Sequence, residues 1–502
     1  MTTNESISSE QTEAKQSRLD DNLARIEKLS QRLLSVMGKG RTVPANLQGP
    51  SPDLYTKAAG AYFAEMVNNP AKLIEHQVEY WGKSVKHFVE AQHLLAQGKL
   101  QAPADPGPTD KRFANEIWDA NPYFNFVKQQ YLFNSQAIRQ AVDDADGLPD
   151  GDKRRLEYFS QQIIDLMAPT NFLATNPEAL ELAAETDGES LVAGLENLVR
   201  DLEANNGDLV VTLADKEAFE VGGNLATTPG KVVFRNRMFE LIQYAPTTDN
   251  VYETPLLIFP PWINKFYILD MKPQNSLIKW AVAQGYTVFV VSWVNPDTSY
   301  ADVGLTDYVE DGFLAAIEQV KTRCGVKKIN TVGYCIAGTT LSMTLAVLAK
   351  RGDNSVNAAT FFTTMTDFSD QGEVGVFLND DFVDGIEAEV TASGMMSSFY
   401  MSRTFSFLRS NDLIYGPAIK SYMMGKAPPA FDLLYWNGDS TNLPGKMAIE
   451  YLRGLCQGDK LASTGFEVAG EVVTLGDIET PLCAIACETD HIAAWKSSYR
   501  GV

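Results

Sequence analysis

One cysteine stands in a setting that could make it a nucleophile. Gly333-Tyr334-Cys335-Ile336-Ala337-Gly338 follows the apolar run Lys328–Tyr334 and precedes Thr339–Arg351, which reads as a helix closed by Gly352. A strand that turns sharply into a helix at a cysteine forces that residue into a strained backbone and presents its thiol at the turn. Small residues are needed around it, where backbone approaches backbone, and Gly333, Ala337 and Gly338 supply them. The helix N-terminus offers free N–H groups and the positive end of its dipole. These are expected to lower the thiol pKa and to stabilise an oxyanion. The plainer alternative is a small buried cysteine of the core.

A second donor to an oxyanion should come from the loop after an early strand. Pro255–Phe259 is such a strand, and Pro260-Pro261-Trp262-Ile263-Asn264-Lys265 follows it. The donors would be the backbone N–H groups of Ile336 and Ile263; a rigid Pro-Pro turn with a packed Trp is the alternative reading. The acid of a triad should follow a late strand. Pro481–Cys487 leads into Glu488-Thr489-Asp490-His491, which makes Asp490 the candidate and Asp367 its competitor. His491 neighbours Asp490 in an extended segment and so points to the other side, which suits a supporting role. The other histidines, His76, His87 and His93, fall in the N-terminal region.

These residues need a scaffold, and the texture of the chain supplies one. From about residue 206, apolar β-branched runs at Pro255–Phe259, Tyr286–Trp293, Lys328–Tyr334, Val356–Thr363 and Pro481–Cys487 alternate with helical segments. That pattern predicts a mostly parallel sheet of α/β-hydrolase type. Residues 368–475 interrupt it, are rich in aromatics, and read as a cap insertion. Ahead of it the sequence predicts a polar, disordered tail over 1–16 and a helical N-terminal domain over 17–205. Within that domain Leu19, Leu23, Ile26, Leu29, Leu33 and Met37 recur at helical spacing. The helix either docks on its own domain or lies amphipathically on a lipid or polymer surface. A second helical segment is expected over 56–97, between breaks at 38–53 and 101–110.

Composition bounds the partners. The 502 residues carry a net charge of −22, which excludes a nucleic-acid-binding face. The five cysteines form no C-x-x-C pair and the four histidines no ligand spacing, so neither a disulfide framework nor a metal site is expected. No transmembrane run or signal peptide is apparent, and a cytoplasmic protein is expected.

Taken together these residues resemble the polyhydroxyalkanoate synthases. The likeness runs from about residue 110 to 502 and includes Asp110-Lys111-Arg112-Phe113, Thr170-Asn171-Phe172 and Thr228-Pro229-Gly230-Lys231-Val232-Val233. It continues through Pro260-Pro261-Trp262-Ile263-Asn264-Lys265, Phe405-Ser406-Phe407-Leu408-Arg409 and Trp436-Asn437-Gly438-Asp439. The resemblance implies a single-subunit enzyme that polymerises (R)-3-hydroxyacyl-CoA into polyester and releases CoA, with no other cofactor. It implies Cys335 as nucleophile and Asp490 as triad acid, a homodimer, and attachment to the polymer granule. With a net charge of −22 facing an anionic substrate, Arg409, helped by Arg403, is expected to contact the CoA phosphates, the alternative being that both are surface cations; Trp436 is a further substrate-binding candidate. Short monomers such as 3-hydroxybutyryl groups are expected. Two departures stand out: Ala337 replaces the family's usual glycine, and no basic residue separates Trp293 from Asn295. The resemblance places the triad histidine in a loop past Val502, so the chain is expected to be truncated, without its final strand, and catalytically silent. A cysteine hydrolase or depolymerase of the same fold, and an inactive granule-surface protein, are the rival readings.

Overall fold

The computed structural model describes residues 20–36, 110–145 and 147–502, with isolated positions between 39 and 89. The expected tail 1–16, the break from Gly38, most of the 56–97 segment, and His76, His87 and His93 lie outside the described residues. The chain divides into two compact units: the described residues up to Leu213 with Arg409–Pro429, and Ala214–Leu408 with Ala430–Val502.

The first unit is helical. Residues 20–36 form α1, followed by α2 (Pro122–Asp143), α3 (Asp150–Leu166) and α4 (Glu189–Ala204). Asn121 caps α2 by accepting from the N–H of Tyr123, and Pro122 fits the first helical position because its missing N–H would be unpaired there. The apolar stripes of α2 and α3 meet around Trp118, Tyr131 and Ile164. Arg112 joins Asp110 and Asp165 beneath them, at 2.7 and 3.0 Å. Helix α1 docks on α4: Leu29 packs with Val192 and Val199, while Arg25 pairs with Glu189 and Glu196 and Arg32 with Glu203. Of the two roles open to this helix, the structure shows the docked one.

The second unit is built on a seven-stranded sheet: β1 (Gly230–Arg235), β2 (Phe239–Tyr244), β3 (Leu256–Phe259), β4 (Val288–Trp293), β5 (Ile329–Tyr334), β6 (Val356–Phe362) and β7 (Leu482–Ile485). Its order is β1-β2-β4-β3-β5-β6-β7. The β1–β2 and β2–β4 pairs are antiparallel and the others parallel. Strands β3 and β4 are apolar on both faces because helices cover both sides. Helices α5 (Leu277–Ala283), α6 (Ala315–Cys324) and α7 (Ile336–Lys350) provide the crossovers, and α7 is buried from Ile336 to Leu348. The buried hydroxyls of Thr339, Ser342 and Thr344 donate to the Met365, Thr339 and Thr340 carbonyls, which lets this face be buried too. The hairpin β1–β2 was not anticipated from the sequence, since its alternating pattern FELIQY mixes Glu and Gln into a half-buried strand. Strand β7 lies at the sheet edge with Cys483, Ala484 and Ile485 exposed.

Between β6 and β7 the chain makes α8 (Asp380–Ser393), α9 (Ser398–Leu408) and shorter turns. Arg409–Pro429, expected as part of one continuous cap, packs instead with the first unit.

Candidate active site

The turn from β5 into α7 holds Cys335 at φ 55° and ψ −126°, a left-handed conformation that a non-glycine residue adopts only when its surroundings fix it. The local sequence permits this. A Cβ at Gly333 would lie 2.5 Å from the Cα of Gly338, and a Cβ at Gly338 would lie 2.0 Å from the Oγ1 of Thr364. Both glycines are therefore required by close approach, while Ala337 is accommodated fully buried. The Cys335 N–H donates to the Phe362 carbonyl at 2.8 Å, and the Cys335 carbonyl accepts from the Gly338 N–H at 2.9 Å.

The loop after β3 is fixed from three sides. The Trp293 indole donates to the Pro260 carbonyl at 2.8 Å, and the Trp262 indole donates to the Thr340 hydroxyl on α7 at 3.1 Å. Thr441 donates its hydroxyl to the Trp262 carbonyl at 2.7 Å and its N–H to the Ile263 carbonyl at 3.1 Å. With those carbonyls engaged, Ile263 lines the same cavity as Cys335 and Ile336.

The electrostatics differ from the sequence expectation. Burial pushes the Cys335 thiol up to about 11, although part of the residue opens on the cavity. The Ile336 N–H beside the sulfur favours the thiolate, and the Asp490 charge opposes it. Desolvation outweighs the helix N-terminus here. Cys335 thus rests as a thiol and needs a proton acceptor to act. Asp490 lies near enough for its charge to act on both Cys335 and Tyr334. One of its oxygens accepts from the Ile492 and Ala493 N–H groups at 2.9 and 3.0 Å. Asp367 instead accepts from the Ser369 N–H at 2.9 Å. His491, the histidine among the described residues, is half-buried beside Asp490.

The cavity against Cys335 measures about 110 Å³ and is mainly apolar. Its far wall comes from the insertion: Phe377 and Phe382, then Met401 and Phe405 on α9, and Tyr451 with Cys456. Burial holds the Tyr451 phenol well above its ordinary range and the Cys456 thiol at about 12, and the two groups lie close enough to act on each other. Tyr451 and Cys456 escaped the sequence reading. They sit in a helical turn with no motif of its own, and only the aromatic richness of the insertion hinted at a lining. Arg409 and Trp436 do not line the cavity. Arg409 is exposed just past α9, and Trp436 donates its indole N–H to the Lys265 carbonyl at 2.8 Å while packing near Phe219 and Tyr267. Among the described residues no His, Cys, Asp or Glu cluster is arranged to hold a metal ion. No described helix is long and apolar enough to cross a membrane.

A thiol on a strained turn, N–H groups beside it, a carboxylate within electrostatic reach and an apolar cavity suit transfer of an acyl group to sulfur. Comparison with known proteins bears on which acyl group. Residues 109–281 match the family model described as the poly-beta-hydroxybutyrate polymerase (PhaC) N-terminus, and residues 255–501 match the alpha/beta hydrolase fold. The chain is 39% identical to a poly(3-hydroxyalkanoate) polymerase subunit of Rhizobium meliloti, covering 88% of this chain and 74% of that one. It is 40% identical to a poly(3-hydroxyalkanoate) polymerase of Methylorubrum extorquens, covering 92% and 77%. A poly(3-hydroxyalkanoate) polymerase subunit of Cupriavidus necator is also 40% identical, with 86% and 72% covered.

Proposed function

The chain belongs to the poly(3-hydroxyalkanoate) polymerase family, and we propose that it polymerises (R)-3-hydroxyacyl groups from their CoA thioesters through Cys335. The observation that carries the assignment to Cys335 is its strained backbone at the β5–α7 turn, at the N-terminus of α7 and with the apolar cavity before it.

In this mechanism the Cys335 proton passes to a base that Asp490 orients or assists. The thiolate then attacks the thioester carbonyl, forming a C–S bond, and the negative oxygen is held by the N–H groups of Ile336 and Ile263. Collapse expels CoA as the thiolate, which takes up a proton. The acyl-enzyme is again a thioester, so the acyl group stays transferable. The 3-hydroxyl of an incoming hydroxyacyl-CoA loses its proton to the base and attacks the acyl-enzyme carbonyl; an ester C–O bond forms, the Cys335 C–S bond breaks, and the freed Cys335 thiolate takes the lengthened chain from CoA in the next acylation. Water competes for the same acyl group, and the apolar walls around Phe382 and Phe405 keep it out. The enzyme works at the surface of the polyester granule, as a homodimer, on short monomers, with Arg409 toward the CoA phosphates and Trp436 supporting the substrate region.

The test is mass spectrometry with 3-hydroxybutyryl-CoA. Wild type should release CoA, carry acyl mass on Cys335 and build polymer, and a chain that does none of these would favour the catalytically silent reading; Cys335→Ala should do none of these, while Cys483→Ala retains acylation. CoA release by Cys335→Ala would sink the assignment. Free hydroxyacid in place of polymer would favour a cysteine hydrolase.

A further inference from the structure

The elbow's strain is held by a residue outside it. Thr364, two residues past β6, is buried, and its hydroxyl lies 3.1 Å from the Cys335 carbonyl, 3.2 Å from that of Phe362 and 3.4 Å from that of Gly333. One O–H proton is thus shared among three carbonyl oxygens. They belong to the strained residue itself, to the end of the neighbouring strand, and to the residue two before the thiol. Two of them already accept backbone bonds: Phe362 from the Cys335 N–H and Cys335 from the Gly338 N–H. The hydroxyl sits where those groups converge.

Neighbouring features fit this role. Gly338 has no room for a side chain because the Oγ1 and Cγ2 of Thr364 would lie 2.0 and 2.6 Å from its Cβ. Thr363 is itself left-handed, at φ 43°, and its N–H donates to the Ile485 carbonyl at 2.7 Å. A β-branched residue in that conformation is costly. Here it turns the chain so that Thr364 points back under the elbow while Thr363 lines the cavity.

We propose that Thr364 is a positioning residue of the reaction: its hydroxyl clamps the Cys335 carbonyl and so aims the Ile336 N–H at the sulfur and at the oxyanion. Without the clamp the peptide linking Cys335 to Ile336 keeps only the bond from the Gly338 N–H, and the Ile336 N–H drifts off target. The inference rests on the reading of Cys335 as the nucleophile.

The test compares Thr364→Val, which keeps the shape and removes the hydroxyl, with Thr364→Ser, which keeps the hydroxyl. Rates are expressed per alkylatable Cys335, so that loss of folded protein does not count. In Thr364→Val, kcat should fall about 10- to 100-fold with KM for 3-hydroxyacyl-CoA little changed, because the lost interaction belongs to the transition state. Thr364→Ser should stay within about threefold of wild type, since a donor hydroxyl remains. Independently of turnover, iodoacetamide should modify Cys335 of Thr364→Val more slowly at pH 9, because a thiolate without its N–H donor is less populated. Equal losses in the two variants, or a Thr364→Val with wild-type kcat and alkylation, would overturn the clamp. Absence of CoA release from wild type would instead defeat the proposed function, and the alkylation comparison would still decide the role of Thr364.

Discussion

The indole N–H of Trp262 donates to the hydroxyl of Thr340, which in turn donates to the Ile336 carbonyl at 3.2 Å. One short relay thereby ties the loop carrying Ile263 to the first turn of the helix carrying Ile336. The two proposed oxyanion donors come from elements far apart in sequence, and this relay sets the spacing between them. Trp262→Phe or Thr340→Val should lower kcat about 10- to 100-fold, as small misplacements at a reacting centre do, with a lesser effect on KM. Steady-state kinetics on CoA release measures it, and a pure KM effect would contradict it.

Cys335 should alkylate late on the pH scale. Its protonated form is favoured in the folded protein by burial, so the thiolate appears only as pH rises toward about 11. The rate of site-resolved iodoacetamide labelling should climb roughly tenfold per pH unit between pH 8 and 10. Asp490→Asn removes the charge that opposes the thiolate, so its labelling profile should move to lower pH. A plateau below pH 8 in wild type would refute the raised value.

Within the first unit, α4 grips the segment from Arg409 to Pro429. The Tyr422 hydroxyl donates to the buried carboxylate of Asp201 at 2.8 Å, and Asn197 donates to the Ser421 carbonyl at 3.1 Å. Tyr422→Phe should cost about 1–3 kcal/mol, because Asp201 loses a donor it cannot replace with water. Gly194→Ala should cost more, since its Cβ would lie 2.1 Å from the Tyr422 carbonyl oxygen. Urea unfolding followed by near-ultraviolet dichroism reads both.

If Arg409 meets the CoA phosphates, Arg409→Ala should raise the KM for acyl-CoA roughly two- to fivefold, the range of an exposed ion pair, and more at low salt. Arg403 should matter less, because its guanidinium lies over the rings of Phe399 and Phe407 at 5.8 and 5.4 Å. An unchanged KM in Arg409→Ala would remove it from the substrate site.

The sequence determined the local events. Five strands were legible because their runs are rich in apolar and β-branched residues, as a strand covered on both faces must be; β3 is apolar at every position and β4 at all but Ser292. Gly333 and Gly338 around a lone cysteine announced a sharp turn because only small residues allow the backbones to touch. Helix α1 showed its apolar stripe but not its destination, since periodicity names a face and not what covers it. The hairpin of β1 and β2 was hidden by its half-buried, mixed composition. Tertiary structure alone decided the rest. Tyr451, Cys456 and Thr364 lie 29 to 121 residues from Cys335 and carry no motif, so only the folded insertion and the end of β6 bring them to it. The state of the thiol was likewise settled in three dimensions: the helix N-terminus is local and was visible, but the desolvation that overrides it comes from walls supplied by distant segments.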